Sequence, residues 1–413
     1  MNDAPKPRIA LWFRYGPADH AQLFHAIPRI VQDLATHAEV HYFGLKSKTP
    51  VPDLIRENAV LHYLPFTVDR TCTRDKWWKT ALWIISIPWI ALWCRFHRVR
   101  AVYIDETIPL AAPLARLFYG PRVAMTIADF FIDIYAEQHA AVRLFGGLIK
   151  RLDLWAWRRL PLIFTRAKST RAWLAEQGIP EDRVQPVYDP CEFSIYHPTD
   201  RAAARQPVNL PPDAVVLVHH GILHPNKGND RILRALAEHR DRFPKLRYLL
   251  IGDGPDMERL RAMTKELDIE ERVHFTGWLK TLEEVNQAIT AGDIALVMRI
   301  GQRSDDFHMT GALVHGMACG LPVLGARLGG VSEVITDDHN GYLFDPHTLR
   351  DFPDKLETLY RDPALRKRLG EQALADAQHH FDIQRITDQT VAPLLELIKE
   401  RRTSNIQRPT LKS

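Results

Sequence analysis

Short, mainly apolar runs of strand length recur along the first half of the chain, at 9–13, 40–43, 101–104, 122–127 and 161–164. Polar turns and segments of helical period separate them, including one near 108–118. Strands buried on both faces read as continuous apolar runs, so this alternation predicts a parallel, Rossmann-like sheet. Asp19 is the candidate cap of the helix after the first strand. A proline-rich polar segment, CEFSIYHPTDRAAARQPVNLPPD, then has the character of a linker. The α/β pattern restarts with AVVLVHHG at 214–221, followed by a helix with Ile232, Leu233 and Leu236 on one face. KLRYLLIGDGP, RVHFTGWL and NGYLFDP supply further strands, with helices in MERLRAMTKELDI and LEEVNQAITAG. The pattern divides the chain into a first domain over 1–205 and a second over 206–375. Residues 376–413 form a C-terminal helix packing back toward the first domain, then a frayed tail.

One stretch concentrates the signals of a ligand site: DIALVMRIGQRSDDFHMTGALVHGMACGLPVLGARLGGVSEVI, 293–335. A strand-length run at 294–298 leads through a polar loop to a helix beginning near Thr310 and Gly311 and stopping at Gly320. LPVLG is a short buried strand, and Gly329-Gly330 opens a second short helix. Unpaired N–H groups at a helix start attract phosphate, so this order builds an anion site.

Composition narrows the field. With 413 residues, 46% hydrophobic and 25% charged, the chain is globular and long enough for two domains. A net charge of +4 does not argue for nucleic acid. Four scattered cysteines read as reduced thiols, not as a disulfide frame or zinc site. MNDAPKPRIALWF is not read as a secretory signal, which leads to a cytoplasmic expectation.

Two stretches point elsewhere. In WWKTALWIISIPWIALWCRFHRVR, at 77–100, residues 81–94 carry no charge and include Trp83, Trp89 and Trp93. The run is short of the ~20 residues that span a bilayer, and Pro88 is expected to kink its helix. Arg95, His97, Arg98 and Arg100 crowd its end. Interfacial membrane contact and a buried core helix both fit. Between Arg143 and Arg171, eight basic residues face one acidic residue, Asp153, with Phe145, Trp155 and Trp157 interleaved. This suits an anionic membrane surface; a solvated helix face is the plain alternative.

The second half resembles the retaining glycosyltransferases of family 4, which have the GT-B fold of two facing Rossmann-like domains with a cleft between them. The resemblance lies in Gly221, Lys227 and Gly228, then LLIGDGP, VHFTGWL, AGDIALVM and HGMACGLPVLGARLGGVSEVITDDHNGYLF, in that order. It implies a glycosyltransferase using a nucleotide-sugar co-substrate (UDP- or GDP-linked), with no further cofactor and no metal. Lys227 would hold the diphosphate, with Gly221, Ile222 and Gly254 at the adjoining strand ends. Gly277, Trp278 and Leu279 would lie against the nucleobase, the Thr310–Gly311 helix start against phosphate, and Glu333 would complete the donor set. The family often has arginine where Ile222 stands; Arg299 is the candidate replacement. It usually has two glutamates with seven residues between them; here the second falls at His315 and the first at Phe307 or, if the loop shifts, at Asp306 or His308. His308 and His315 are therefore candidates for holding ribose or sugar. In the first domain, His20 and Asp129, with Asp19 and Glu106, are polar groups near strand ends where an acceptor would sit.

The sequence thus predicts a sugar transferase acting with retention on a lipid-linked or glycolipid acceptor, peripheral at the cytoplasmic membrane face. A degenerate GT-B scaffold, or an inverting transferase or epimerase on the same fold, is the alternative.

Overall fold

The computed structural model describes residues 5–14, 26–46, 50–67, 73–127, 140–300 and 309–399. Among these residues the strands form two sheets, parallel throughout. The first sheet runs β3-β2-β1-β4-β5-β6-β7. Its strands are β1 (Arg8–Trp12), β2 (Glu39–Lys46), β3 (Ala59–Thr67), β4 (Ala101–Ile104), β5 (Val123–Ile127), β6 (Leu162–Thr165) and β7 (Val184–Pro186). The second runs β10-β9-β8-β11-β12-β13. It comprises β8 (Val215–His220), β9 (Leu246–Ile251), β10 (Val273–Phe275), β11 (Ile294–Val297), β12 (Val323–Ala326) and β13 (Gly341–Phe344). This is the architecture of two Rossmann-like domains. In each, strand order reverses beside the first strand, which opens a crevice at the carboxyl ends of β1/β4 and of β8/β11.

The continuous apolar strands sit where their pattern requires: β1, β4, β5, β8 and β11 are almost wholly buried. The helix Asp53–Asn58 and β3 lay below the periodic signal. β3 is an edge strand, mostly half-exposed, and carries Pro65. An edge tolerates proline and needs no continuous apolar run. The helix Ile383–Lys399 lies against helix Ala26–His37, and its Ile386, Leu394 and Ile398 belong to the core of the first sheet.

The tryptophan-rich stretch is a helix, Thr73–Phe96, which continues through Pro88; the proline does not end it. The buried-core reading of this stretch holds for one of its faces. Trp83, Ile87, Ile90, Ala91 and Cys94 form a stripe buried in the first core, whereas Trp78, Ile85, Trp89 and Phe96 form a second stripe facing out. The helix Ala140–Trp157 has the same character, with Phe145, Leu148, Leu152 and Trp155 exposed at helical spacing. Between them packs helix Ala111–Phe118, with Leu117 exposed. Three helices thus make one layer whose outer surface is apolar. Among the described residues no helix is long and apolar enough to cross a membrane.

Asp153 holds this layer internally. Its carboxylate is buried and accepts a 2.9 Å hydrogen bond from the Leu110 amide. Leu110 has φ +67° and caps helix Ala111–Phe118, so a strained backbone is fixed by a buried acceptor. Burial raises the Asp153 pKa to about 7, against which the Leu110 bond acts. A raised carboxylate pKa stabilises the fold at low pH and loses that contribution as pH rises through the folded value. Asp153→Asn keeps an acceptor for Leu110 and removes the charge. It is expected to raise stability at pH 8 by on the order of 1 kcal/mol or more, by less at pH 5, and by little at about pH 3.5, below the unfolded pKa, in urea melts at the three pH values.

Candidate functional site

The donor side is organised by the loops leaving β8 and β9. After β8 the chain turns at Gly221, φ +124°, whose amide donates to Ile251 O at 2.9 Å. Leu223 N donates to Asp253 O at 2.9 Å, and Asp256 N to Leu223 O at 3.1 Å. The two loops lie so close that a Cβ on Gly252 would meet Gly221 O at 2.2 Å, and one on Gly254 would meet Leu223 O at 2.2 Å. Gly254 is thus required by backbone contact between the loops. Ile222, between them, is exposed.

Lys227 ends a short turn, Pro225–Lys227, that His224 caps by accepting from the Asn226 amide. Gly228 follows with φ +64°; a Cβ there would meet Met298 Cε at 2.9 Å and Ile300 Cγ2 at 3.1 Å. Ile300 N also donates to Asn226 O at 3.0 Å. The Lys227 turn is thereby pinned to the segment that carries Arg299. Both cations act on His219, which is buried beside them; burial first, then Lys227 and Arg299, lower its pKa to about 3. The two positive groups that the sequence paired are brought to the same strand ends.

Thr310 is the N-cap of helix Gly311–Ala318, its side chain accepting from Leu313 N. One turn later His315 stacks on Tyr196, ring centroids 3.7 Å apart and planes at 7°. Its Nδ1 lies 2.8 Å from His220 Nε2. Burial lowers the His220 pKa to about 4, so it is neutral near pH 7. Tyr196 and His220 carried no sequence signal: one lies in the linker, and the other reads as the end of an apolar strand.

Gly277, φ +69°, bridges to Gly252. Trp278 and Leu279 line a cavity of about 700 Å³ along the edge of β10, with Arg261, His274, Thr276 and Lys280. Trp278 is 71% exposed, a stacking surface open to solvent. Glu333 turns to the other domain. It accepts from the amides of Lys168 at 2.8 Å and Ser169 at 2.6 Å, and from Tyr188 Oη at 3.1 Å. These amides open helix Lys168–Glu176, which has no side-chain cap of its own. His20, Asp129 and His308, with Asp19, lie outside the described residues.

Across the crevice, the strand ends of the first sheet hold a cluster that the sequence showed only through Glu106. Glu106 accepts from Arg14 N at 2.6 Å and pairs with the Arg14 Nε at 3.2 Å. Burial raises its pKa to about 7, against the pull of Arg14. Asp105 beside it accepts from Tyr103 Oη at 2.6 Å and Thr126 Oγ1 at 3.1 Å, with the Arg166 guanidinium at 3.6 Å. Burial raises Asp105 as well, and its Oδ2 meets no donor among the described residues. Two buried carboxyls whose pKa values burial raises, at a strand end, can accept from, or exchange a proton with, a hydroxyl.

Comparison with known proteins matches residues 200–376 to the family described as glycosyl transferases group 1. This segment is a group 1 glycosyltransferase domain. Curated relatives of the chain include a D-inositol 3-phosphate glycosyltransferase of Acidothermus cellulolyticus. It is 32% identical over 247 residues, 56% of this chain and 52% of the relative. The N-acetyl-alpha-D-glucosaminyl L-malate synthase of Bacillus anthracis is 25% identical over 227 residues, 55% of this chain and 57% of the relative. The chain spans about half the length of the curated relatives it matches. Anabaena Alr3699/HepE, solved with UDP and glucose, superposes with a TM-score of 0.68 at 19% identity, covering 94% of this chain and 100% of that one. WaaG, described as a glycosyltransferase involved in lipopolysaccharide biosynthesis, gives 0.65 at 16%, covering 92% and 98%. At these identities the likeness is one of fold, and the fold is GT-B in both domains.

Glu333 therefore joins the group 1 domain to the first domain by capping a foreign helix. Glu333→Ala is expected to cost about 1 kcal/mol, the range of a lost N-cap. Native-state hydrogen exchange should quicken at the Lys168 and Ser169 amides; unchanged exchange there would count against the capping role.

Proposed function

We propose that the protein transfers a glycosyl group, with retention, from a nucleotide-sugar donor to a lipid-linked or glycolipid acceptor at the cytoplasmic face of a membrane. The observation that carries this reading is the pairing of two surfaces: a cation-bearing crevice in the group 1 domain and an apolar helix layer on the other. Departure of a nucleoside diphosphate places negative charge on its phosphates, and fixed cations with a helix start stabilise it. Lys227, Arg299 and the Thr310-capped helix are the groups for that task. Closure of the two domains over the donor would exclude water that otherwise takes the sugar. The retaining course follows from the family resemblance. UDP in the Anabaena structure makes a uridine diphosphate sugar the first donor to test, with a guanosine diphosphate sugar second.

The acceptor class rests on the first domain. Ile85 is 70% exposed, Trp89 78% and Phe145 58%, on the two helices that flank helix Ala111–Phe118. Contiguous exposed apolar surface on this scale marks an interaction site. Arg95, Arg98, Arg100, Lys150, Arg151, Arg158 and Arg159 lie on or just after the same helices, a composition suited to anionic headgroups. Asp105 and Glu106, at the strand ends of that domain, would receive the acceptor hydroxyl.

Lys227→Ala should lower transfer by 10- to 100-fold or more, the weight of a charge-assisted contact, with an unchanged melting curve. Full turnover in that variant excludes its diphosphate role. The whole chain should co-sediment with phosphatidylglycerol vesicles. The double variant Ile85→Ser, Trp89→Ser should release it several-fold without loss of stability, because both side chains already face water. A wild-type chain that stays in the supernatant rules out the membrane face.

A further inference from the structure

We propose that the aromatic cavity between β2, β3 and the second half of helix Thr73–Phe96 seats one acyl chain of an anionic phospholipid, with Arg95 and Arg98 at the lipid phosphate. The site lies at the membrane face read above, rests on that reading, and adds to it a bound lipid of defined place and class.

β2 and β3 pair in parallel with Phe43 opposite His62. The His62 ring stacks on Phe43, centroids 4.4 Å apart and planes at 10°. Trp93 of the helix meets the same layer, 4.6 Å from His62 and 5.2 Å from Phe43. It stacks in turn on His97, at 3.8 Å. These rings build one wall of a cavity of about 380 Å³, which Leu64, Trp89, Ile90 and Phe96 help to close. Its size falls in the ~300–1,000 Å³ range of ligand pockets. Polar atoms of the rings are engaged within the wall. His62 Nε2 lies 2.9 Å from His41 Nδ1, and His97 Nδ1 lies 2.9 Å from Trp93 O. Burial lowers the His62 pKa to about 4, so its ring is uncharged near pH 7. The cavity thus offers mainly ring faces and aliphatic groups, which suit an apolar chain.

Two observations select the occupant. Trp89 and Phe96 line the cavity and also belong to the outward stripe of the helix, each 78% exposed. Cavity and stripe are therefore continuous, and an apolar chain lying on the stripe reaches the cavity. The charges at this helix end are of one sign. Arg95 and Arg98 flank Phe96 and His97 and are exposed, and residues 76–104 contain no aspartate or glutamate. Arg98 has φ +56°, in the left-handed position beyond a helix end that glycine ordinarily takes. Val99 N donates to Cys94 O at 2.9 Å and holds that turn. An anionic phosphodiester complements the two guanidinium groups, and its chain complements the cavity beside them.

The test uses the full chain and dioctanoyl phosphatidylglycerol below its micellar concentration, so that no bilayer is present. Calorimetry should show one lipid bound per chain, with dioctanoyl phosphatidylcholine bound several-fold more weakly. Leu64→Trp fills the cavity from the edge strand and should weaken binding about tenfold or more, the scale of two methylenes left in water. An unchanged melting curve checks that this variant folds. Phe96→Ser changes a side chain that already faces water, should weaken binding several-fold, and serves if Leu64→Trp does not fold. Phosphatidylglycerol with a photoreactive diazirine at its chain end should label residues within 61–64 and 89–97, and Leu64→Trp should abolish that label. Labelling confined to helix Ala140–Trp157, or unchanged affinity in the folded variants, overturns the site. Equal affinity for phosphatidylcholine overturns the role of Arg95 and Arg98. Displacement by farnesyl phosphate at lower concentration assigns the cavity to the isoprenyl chain of a lipid-linked acceptor and overturns the phospholipid. A wild-type chain that binds vesicles but no short-chain lipid loses the cavity site and keeps the membrane reading; the reverse result loses the membrane reading and keeps the cavity site.

Discussion

The backbone contact between the loops leaving β8 and β9 constrains the whole donor side. Gly221 N reaches Ile251 O, Leu223 N reaches Asp253 O, and no Cβ fits at Gly252 or Gly254. Because these bonds join main chain to main chain, they fix positions that side-chain packing alone would leave loose. From that clamp the chain goes directly into the Lys227 turn, itself locked to the β11 exit through Gly228 and Ile300. The cations, the exit of β11 and the Trp278 edge are therefore one rigid assembly, as preorganised electrostatic stabilisation requires.

The first domain solves a different problem. Its helices Thr73–Phe96 and Ala140–Trp157 each carry two apolar stripes, one for the core and one outside. A helix in water is ordinarily apolar on one side only. The second stripe raises the cost of exposure to water and so favours contact with an apolar surface. Asp153 shows how the layer stays ordered: the one acidic residue of its basic segment faces inward and holds a strained Leu110. The two domains are then tied by contacts remote in sequence: Glu333 on the amides of 168–169, and helix Ile383–Lys399 in the first core.

The donor half was legible because its signals are local. Strand ends, glycines, a lysine and a capped helix lie in a fixed order, and each obeys a short-range rule. Lys227, Gly221 and Thr310 could be placed at loop or helix starts from the sequence alone, and the structure sets them there. β3 escaped because an edge strand is half-exposed and its pattern is diluted. Asp105 escaped because a carboxylate after a strand resembles any surface turn until its neighbours are known. The charge count of 143–171 likewise treated Asp153 as a surface residue, though it is buried.

The sequence by itself determined the alternation of elements, the two-domain plan and which residues at the strand ends of the second sheet can carry charge and hydrogen bonds. Those properties follow from periodicity and backbone preference, which act over a few residues. Only the tertiary structure decided which face of the tryptophan-rich helix enters the core, that Glu333 caps a helix of the other domain, and that His220 and Tyr196 hold His315. Each of these depends on groups between 95 and 165 positions apart in the chain, or on packing against a whole sheet. A hydrogen bond of 2.8 Å between such groups is set by the packing of entire layers, and no local pattern encodes it.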